Sequence, residues 1–185
     1  MQKRSHALLA AALLRQEEGF SARRYEWAFL FGSFQPDCNP LSYLKGSLRC
    51  RKFGGHTYGN AQPYILSRIR RLQNRSRWTL WQYYTLGKLT HYVADAFTYP
   101  HNDHFPDGLL DHHRYERDLR RYFPGYLARN GTAAPADPRR DLLAELDRLH
   151  RQYVSAVSGV DRDCRYILLA TSLLMAGCCP AAGVG

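Results

Sequence analysis

No apolar run in the 185-residue chain reaches the roughly eighteen residues that a membrane span needs. The longest candidates, residues 7–14 and 166–177, are too short, which argues against a spanning helix. No CxxC pair exists among the five cysteines, which argues against a thiolate zinc site. Strand-like alternation and internal repeats are lacking, which argues against a sheet or a repeat array. Acidic residues are few, 16 against 26 Lys and Arg, and the net charge is +10. Lysine is scarce as well: arginine supplies 22 of the 26 basic residues. Arginine favours bidentate phosphate contacts, so a phosphate-bearing partner is chemically reasonable.

What is present fits a globular chain with a core, at 45% apolar and 23% charged residues. The length predicts a single domain over residues 1–185. Lys3 and Arg4 before the apolar stretch Ala7–Leu14 imitate a signal peptide. The stretch is short, however, and Arg15, Gln16, Glu17 and Glu18 follow where a small-residue cleavage site belongs. An amphipathic first helix is the better reading, in a cytoplasmic or peripheral membrane protein. An odd number of cysteines agrees with a reducing compartment. Cys38, Cys50, Cys164, Cys178 and Cys179 are read as small buried hydrophobes.

Helical spacing predicts an all-α domain of about seven helices. The expected spans are residues 5–17, 22–32, 60–73, 77–98, 109–122, 137–158 and 161–177. Ser5, Ser21, Ser76 and Asp137 are the expected caps, and Pro138 stands at a first helical position. Residues 33–57 read as a long irregular stretch punctuated by Pro36, Pro40, Gly46, Gly54 and Gly55. A stretch of that length in a compact domain is usually functional or held by something.

The histidines and carboxylates carry the chemistry. His91 and Asp95, four apart, share a face of the strongest apolar helix. His112 and Glu116 repeat the spacing on the next helix, and His101 lies between the pairs. One such pair is as well explained by a structural hydrogen bond. Five ligand-type residues within 26 positions favour a metal, and the imidazole content favours zinc over magnesium. Asp37 and His56, at the two ends of the irregular stretch, have plain readings as an Asx-turn and a loop residue. His6 begins the first apolar run.

Taken in order, His6, Asp37, His56, His91-x3-Asp95-x5-His101 and His112-x3-Glu116 resemble the bacterial zinc-dependent phospholipases C. They are also similar to the single-strand-specific zinc nucleases of the same fold. The segment TLGKLTHYVADAFTYPHNDH carries the closest match. The resemblance implies an all-helical fold holding up to three zinc ions in a cleft. Asp37, His56, His91 and Asp95 would bind the first ion, and His101, His112 and Glu116 the second. His6, Asp95 and the backbone nitrogen and oxygen of Met1 would bind the third. Asp37 would also act on the attacking water as the catalytic carboxylate. His113 could replace His112 only by putting Arg117 at the carboxylate position, so His112 is preferred.

The implied activity is phosphodiester hydrolysis, with phospholipid cleaved to diacylglycerol and a phosphorylated headgroup. Aromatic residues near the ligands, Phe53, Tyr58, Phe97, Tyr99 and Phe105, could meet lipid, and the basic surface could attract an anionic membrane. Two other readings remain at this level: a phosphodiesterase acting on nucleic acid, and a zinc-stabilised helical module without catalysis. The basic run Arg68, Arg70, Arg71, Arg75 and Arg77 reads first as a solvated helix end.

Overall fold

The structure is a computed structural model, describing residues 1–38, 58–102, 109–132 and 141–180. Among these residues it contains seven α-helices, one 3-10 turn and no strand. The helices are α1 (Lys3–Leu14), α2 (Arg23–Cys38), α3 (Tyr58–Gln73), α4 (Leu80–Ala96), α5 (Leu109–Asn130), α6 (Leu142–Ser155) and α7 (Val160–Cys178); the 3-10 turn is Tyr99–His101. The all-α expectation holds. His56, His104, Phe53, Phe105, Cys50 and the Asp137-Pro138 pair lie outside the described residues.

Helix boundaries differ from the sequence reading in instructive ways. Helix α2 continues to Cys38 through Pro36, so Asp37 is helical rather than part of a loop. A proline in the last turn removes a hydrogen bond that the frayed end would hold weakly, so its cost is small there. Helix α5 likewise runs through Pro124 and Gly125, because Phe123 and Leu127 bury on both sides of them. It ends where Gly131 takes a left-handed φ of 66° and returns its N–H to the Leu127 carbonyl. Helix α4 is capped by Thr79 rather than Ser76, in a reciprocal box with Gln82. Asp141 caps α6 through the amide of Leu143 at 2.9 Å. Gln2 precedes α1, and Ser5 is buried inside it.

Helix α4 is the central element. Leu86, Leu89, Val93 and Ala94 are buried along it, with Leu9 of α1, Phe29 of α2, Ile69 of α3 and Ile167 and Leu174 of α7 in the same core. Helices α2 and α4 run alongside each other in the same direction, joined through two glycines. A Cβ on Gly32 would lie 2.2 Å from the Tyr84 carbonyl oxygen, and one on Gly87 would lie 2.1 Å from the Phe29 carbonyl oxygen. The backbones therefore touch, and this contact brings Asp37 level with His91. Gly87→Ala should push the pair apart and cost about 3 kcal/mol, near the top of the usual overpacking range. A urea titration checks this against Gly125→Ala, whose Cβ would meet the Arg129 guanidinium at an ordinary 3.4 Å and which should be near neutral.

No described helix is long and apolar enough to cross a membrane. Cys164 and Cys178 are buried, as expected, and burial pushes both thiols up to about 12. Cys179 is half-buried, and Cys38 is exposed, contrary to the buried reading, because the end of α2 reaches the surface.

Candidate metal centre

Eight of the nine residues expected as ligands lie together, although they come from widely separated parts of the chain. Met1 and His6 arrive at the start of α1, Asp37 at the end of α2, and His91 and Asp95 in the last turns of α4. His101 closes the 3-10 turn, and His112 and Glu116 lie on α5. Two groups of donors form. The buried trio is His6, His91 and Asp95, and the half-buried trio is His101, His112 and Glu116. Within each, the donor atoms lie within 4.8 Å of one another.

The inner trio is tightly drawn. His6 Nε2 is 3.2 Å from Asp95 Oδ1, and His91 Nε2 is 3.2 Å from Asp95 Oδ2. The two imidazole rings stack with centroids 3.8 Å apart. Asp37 adds a second carboxylate, Oδ1 at 3.7 Å from His91 Nε2 and Oδ2 at 4.0 Å from His6 Nε2. In the outer trio, Glu116 Oε1 is 3.2 Å from His101 Nε2 and 3.5 Å from His112 Nε2. His113 is exposed, one residue off this face. Met1 stands between the groups. Its amino nitrogen is 2.7 Å from Asp95 Oδ1, 3.1 Å from Glu116 Oε1 and 3.1 Å from His101 Nε2. Its carbonyl oxygen is 3.1 Å from His6 Nε2.

Burial dominates the protonation of the inner group. It lowers His6 to about 3, helped by the adjacent His91, so His6 is a neutral imidazole at physiological pH. Burial also raises the Asp37 carboxyl, with His91 opposing. Desolvation works against ionisation of Asp95, but the Met1 ammonium and three imidazoles overcome it and hold the carboxyl well below its usual range. Glu116 is likewise held low, by hydrogen bonds to His101 and His112. Burial would lower the Met1 amino group, yet Asp95 and Glu116 raise it to about 10.

One imidazole tests whether this donor set suits a metal. His91 Nδ1 lies 3.0 Å from the Ser33 carbonyl oxygen. A carbonyl only accepts, so Nδ1 donates to it, and in the neutral ring Nε2 is the nitrogen with a free lone pair. Among the described residues Nε2 is buried without a hydrogen-bond partner, as is Asp37 Oδ2. It faces the carboxylates of Asp95 and Asp37, so acceptors converge on acceptors. Such a contact is repulsive unless a cation or a second ring proton lies among them, and a divalent cation answers both carboxylates at once. A backbone carbonyl holding the far nitrogen of an imidazole is the usual outer support of a metal-bound histidine. Imidazole nitrogens with carboxylate oxygens are the donors that zinc takes. The residues fit the ion.

Supporting residues that the sequence reading missed fix the outer group. Asp163, fully buried at the start of α7, accepts the Tyr99 amide at 2.8 Å and the hydroxyls of Tyr115 at 2.8 Å and Tyr153 at 2.9 Å. The Arg162 guanidinium contacts the same carboxylate at 3.0 Å. From the other side, Asn102 donates to the carbonyls of Ala96 and Thr98 and accepts from His150 Nε2 at 3.0 Å. The turn that presents His101 is thus clamped twice. Ser33, Asp163 and His150 left no local mark in the sequence, because each acts through a contact distant along the chain. The lipid-contact expectation needs correction at Phe97, which is 2% exposed and packs on Tyr153 in the core. Tyr99 is half-buried against Tyr115.

Similarity to known proteins agrees with this geometry. The family model for zinc-dependent phospholipase C matches residues 5–160. No curated protein and no solved structure matches the chain. The match spans α1 to α6 and includes every expected ligand except Met1, and the chain belongs to the zinc-dependent phospholipase C family.

Proposed function

We propose that the protein is a zinc-dependent phosphodiester hydrolase that cleaves phospholipid between glycerol and phosphate, releasing diacylglycerol and a phosphorylated headgroup. The observation that carries the reading is the buried Nε2 of His91, without a hydrogen-bond partner among the described residues and facing two carboxylates inside a cluster of four imidazoles and three carboxylates. The Ser33 carbonyl engages Nδ1 of His91, which leaves Nε2 as the ring nitrogen turned toward the two carboxylates.

His91, Asp95 and Asp37 would hold one ion, together with His56. His101, His112 and Glu116 would hold a second, and His6, Asp95 and the Met1 backbone a third. Bound zinc supplies Lewis-acid neutralisation of the phosphoryl oxygens and lowers the pKa of a water toward neutrality. Asp37 is the proposed catalytic carboxylate. Its Oδ2 lacks a hydrogen-bond partner among the described residues, and burial raises its affinity for a proton, so it can accept one from an attacking water. Asp95 orients His6 and His91 together, and Glu116 orients His101 and His112.

The test is hydrolysis of a soluble short-chain phosphatidylcholine by zinc-repleted protein, before and after chelation. Zinc removal should lower the rate by at least roughly 10³-fold, the scale of several kcal/mol of transition-state stabilisation. Readdition of zinc should restore it. Preferential cleavage of single-stranded oligonucleotide would overturn the lipid assignment. Tight zinc binding without any hydrolysis would overturn catalysis.

A further inference from the structure

Among the described residues, the most exposed aromatics are not those beside the proposed ligands. Trp27 and Phe31 on α2 are 67% and 53% exposed, and Leu80 and Trp81 at the start of α4 are 48% and 64% exposed. These four form one patch. Trp27 and Phe31 are one turn apart on α2, and Phe31 and Trp81 both pack on the Tyr84 ring, with centroids at 6.0 Å and 5.2 Å. Beside the patch lies a hollow of about 180 Å³, lined by Arg68, Arg71 and Arg75 of α3 and the residues following it, with Trp81 and Gln82 opposite. Arg71 and Arg75 are exposed and form no ion pair among the described residues.

Charge along this part of the sequence is one-sided, and its described residues, 58–94, hold six Lys and Arg and no Asp or Glu. Residues 38–94 contain ten Lys and Arg and no Asp or Glu. The rest of the chain has sixteen of each sign, so this segment accounts for the entire net charge of +10. Arg23 and Arg24 extend the basic rim at the start of α2, where Glu26 is the one nearby carboxylate on that helix. Exposed tryptophans beside arginines are the composition that settles at the headgroup level of an anionic bilayer. Leu80 of the patch shares a helix face with the site: Leu80, Tyr84, His91 and Asp95 fall within about 60° of one another on α4, and Trp81 lies about 40° beyond.

We infer that Trp27, Phe31, Leu80 and Trp81, with Arg68, Arg71 and Arg75, form the surface by which this protein docks on anionic phospholipid membranes. The arginine hollow takes a lipid phosphate, and the tryptophans enter the headgroup region. The choice of lipid rests on the phospholipase reading; the surface itself rests on exposure and charge.

The test separates docking from catalysis. Binding is measured by sedimentation with phosphatidylcholine vesicles, with and without phosphatidylglycerol, in an Asp37→Asn background so that lipid persists. The full chain should bind anionic vesicles at least tenfold more tightly than neutral ones, with binding that weakens in salt. Its tryptophan emission should shift to the blue, since Trp78 is already buried and the response must come from Trp27 and Trp81. Arg71→Glu with Arg75→Glu should weaken binding at least roughly twentyfold, at about fivefold per basic residue near a charged surface. Trp27→Ala with Trp81→Ala should lose binding and the shift together. With Asp37 intact, both double variants should hydrolyse monomeric short-chain lipid within twofold of the parent while losing most activity on vesicles. Undiminished vesicle binding by both variants overturns the docking surface. So does preferential binding of single-stranded DNA through the same arginines. Vesicle binding without hydrolysis of any lipid would instead sink the phospholipase reading and leave the surface standing.

Discussion

Asp95→Asn is expected to reduce bound zinc to at most one ion per chain and to lower phosphodiester hydrolysis by at least roughly 10³-fold. No other carboxylate in the cluster touches as much. Asp95 lies within 3.9 Å of the Met1 amino group and of His6, His91 and His101. Its two oxygens face different partners, Oδ1 toward Met1 and His6 and Oδ2 toward His91. Replacing one oxygen by an amide NH₂ puts donors where acceptors must stand. It also removes the charge that offsets a buried ammonium. Glu116→Gln should act on the His101–His112 group alone and lose a single ion. Elemental analysis of dialysed, zinc-repleted protein separates the two variants. Unchanged metal content in Asp95→Asn would sink the shared role of that carboxylate.

The second large effect lies outside the cluster. Asp163→Ala strips the acceptor from the Tyr99 amide, from the hydroxyls of Tyr115 and Tyr153 and from the Arg162 guanidinium. Breaking a buried ion pair by removing one partner costs about 3–5 kcal/mol. For a chain of this size that lowers the melting temperature by roughly 6–20 °C. The loss should also reach the metal, because the Tyr99 amide belongs to the turn that presents His101. Zinc affinity of the outer group should fall roughly 10- to 100-fold, as for loss of an outer support. Asp163→Asn offers a milder second reading, since it can still accept the Tyr99 amide and should retain more metal affinity than the alanine variant. A melting temperature within two or three degrees of the parent for Asp163→Ala would show that the network does not hold the turn.

Much of this protein was decided locally. The i, i+4 spacings of His91 with Asp95 and of His112 with Glu116 set each pair on one helical face, whatever surrounds them. Apolar periodicity made the chain helical, and the ordered ligand types pointed to the family whose model matches residues 5–160. Helix ends were less legible, because a proline near a helix terminus costs little while burial on either side favours continuation. Thus α2 carries Asp37 on its last turn, where the sequence suggested a loop.

Other features exist only in three dimensions. The orientation of the His91 ring depends on the Ser33 carbonyl, 58 residues away, and that contact requires the glycine-lined approach of α2 to α4. The turn holding His101 depends on Asp163 and His150, each clamping it from a distant helix. The exposed aromatic patch draws Trp27 and Phe31 from one helix and Trp81 from another, while Phe97, two residues past Asp95, went into the core. Spacing along a helix is governed by bonds within the chain, so the sequence alone determined the two histidine–carboxylate pairs. Whether a lone pair is left bare or a tryptophan is left in water is governed by what packs against it, and only the tertiary structure decided that.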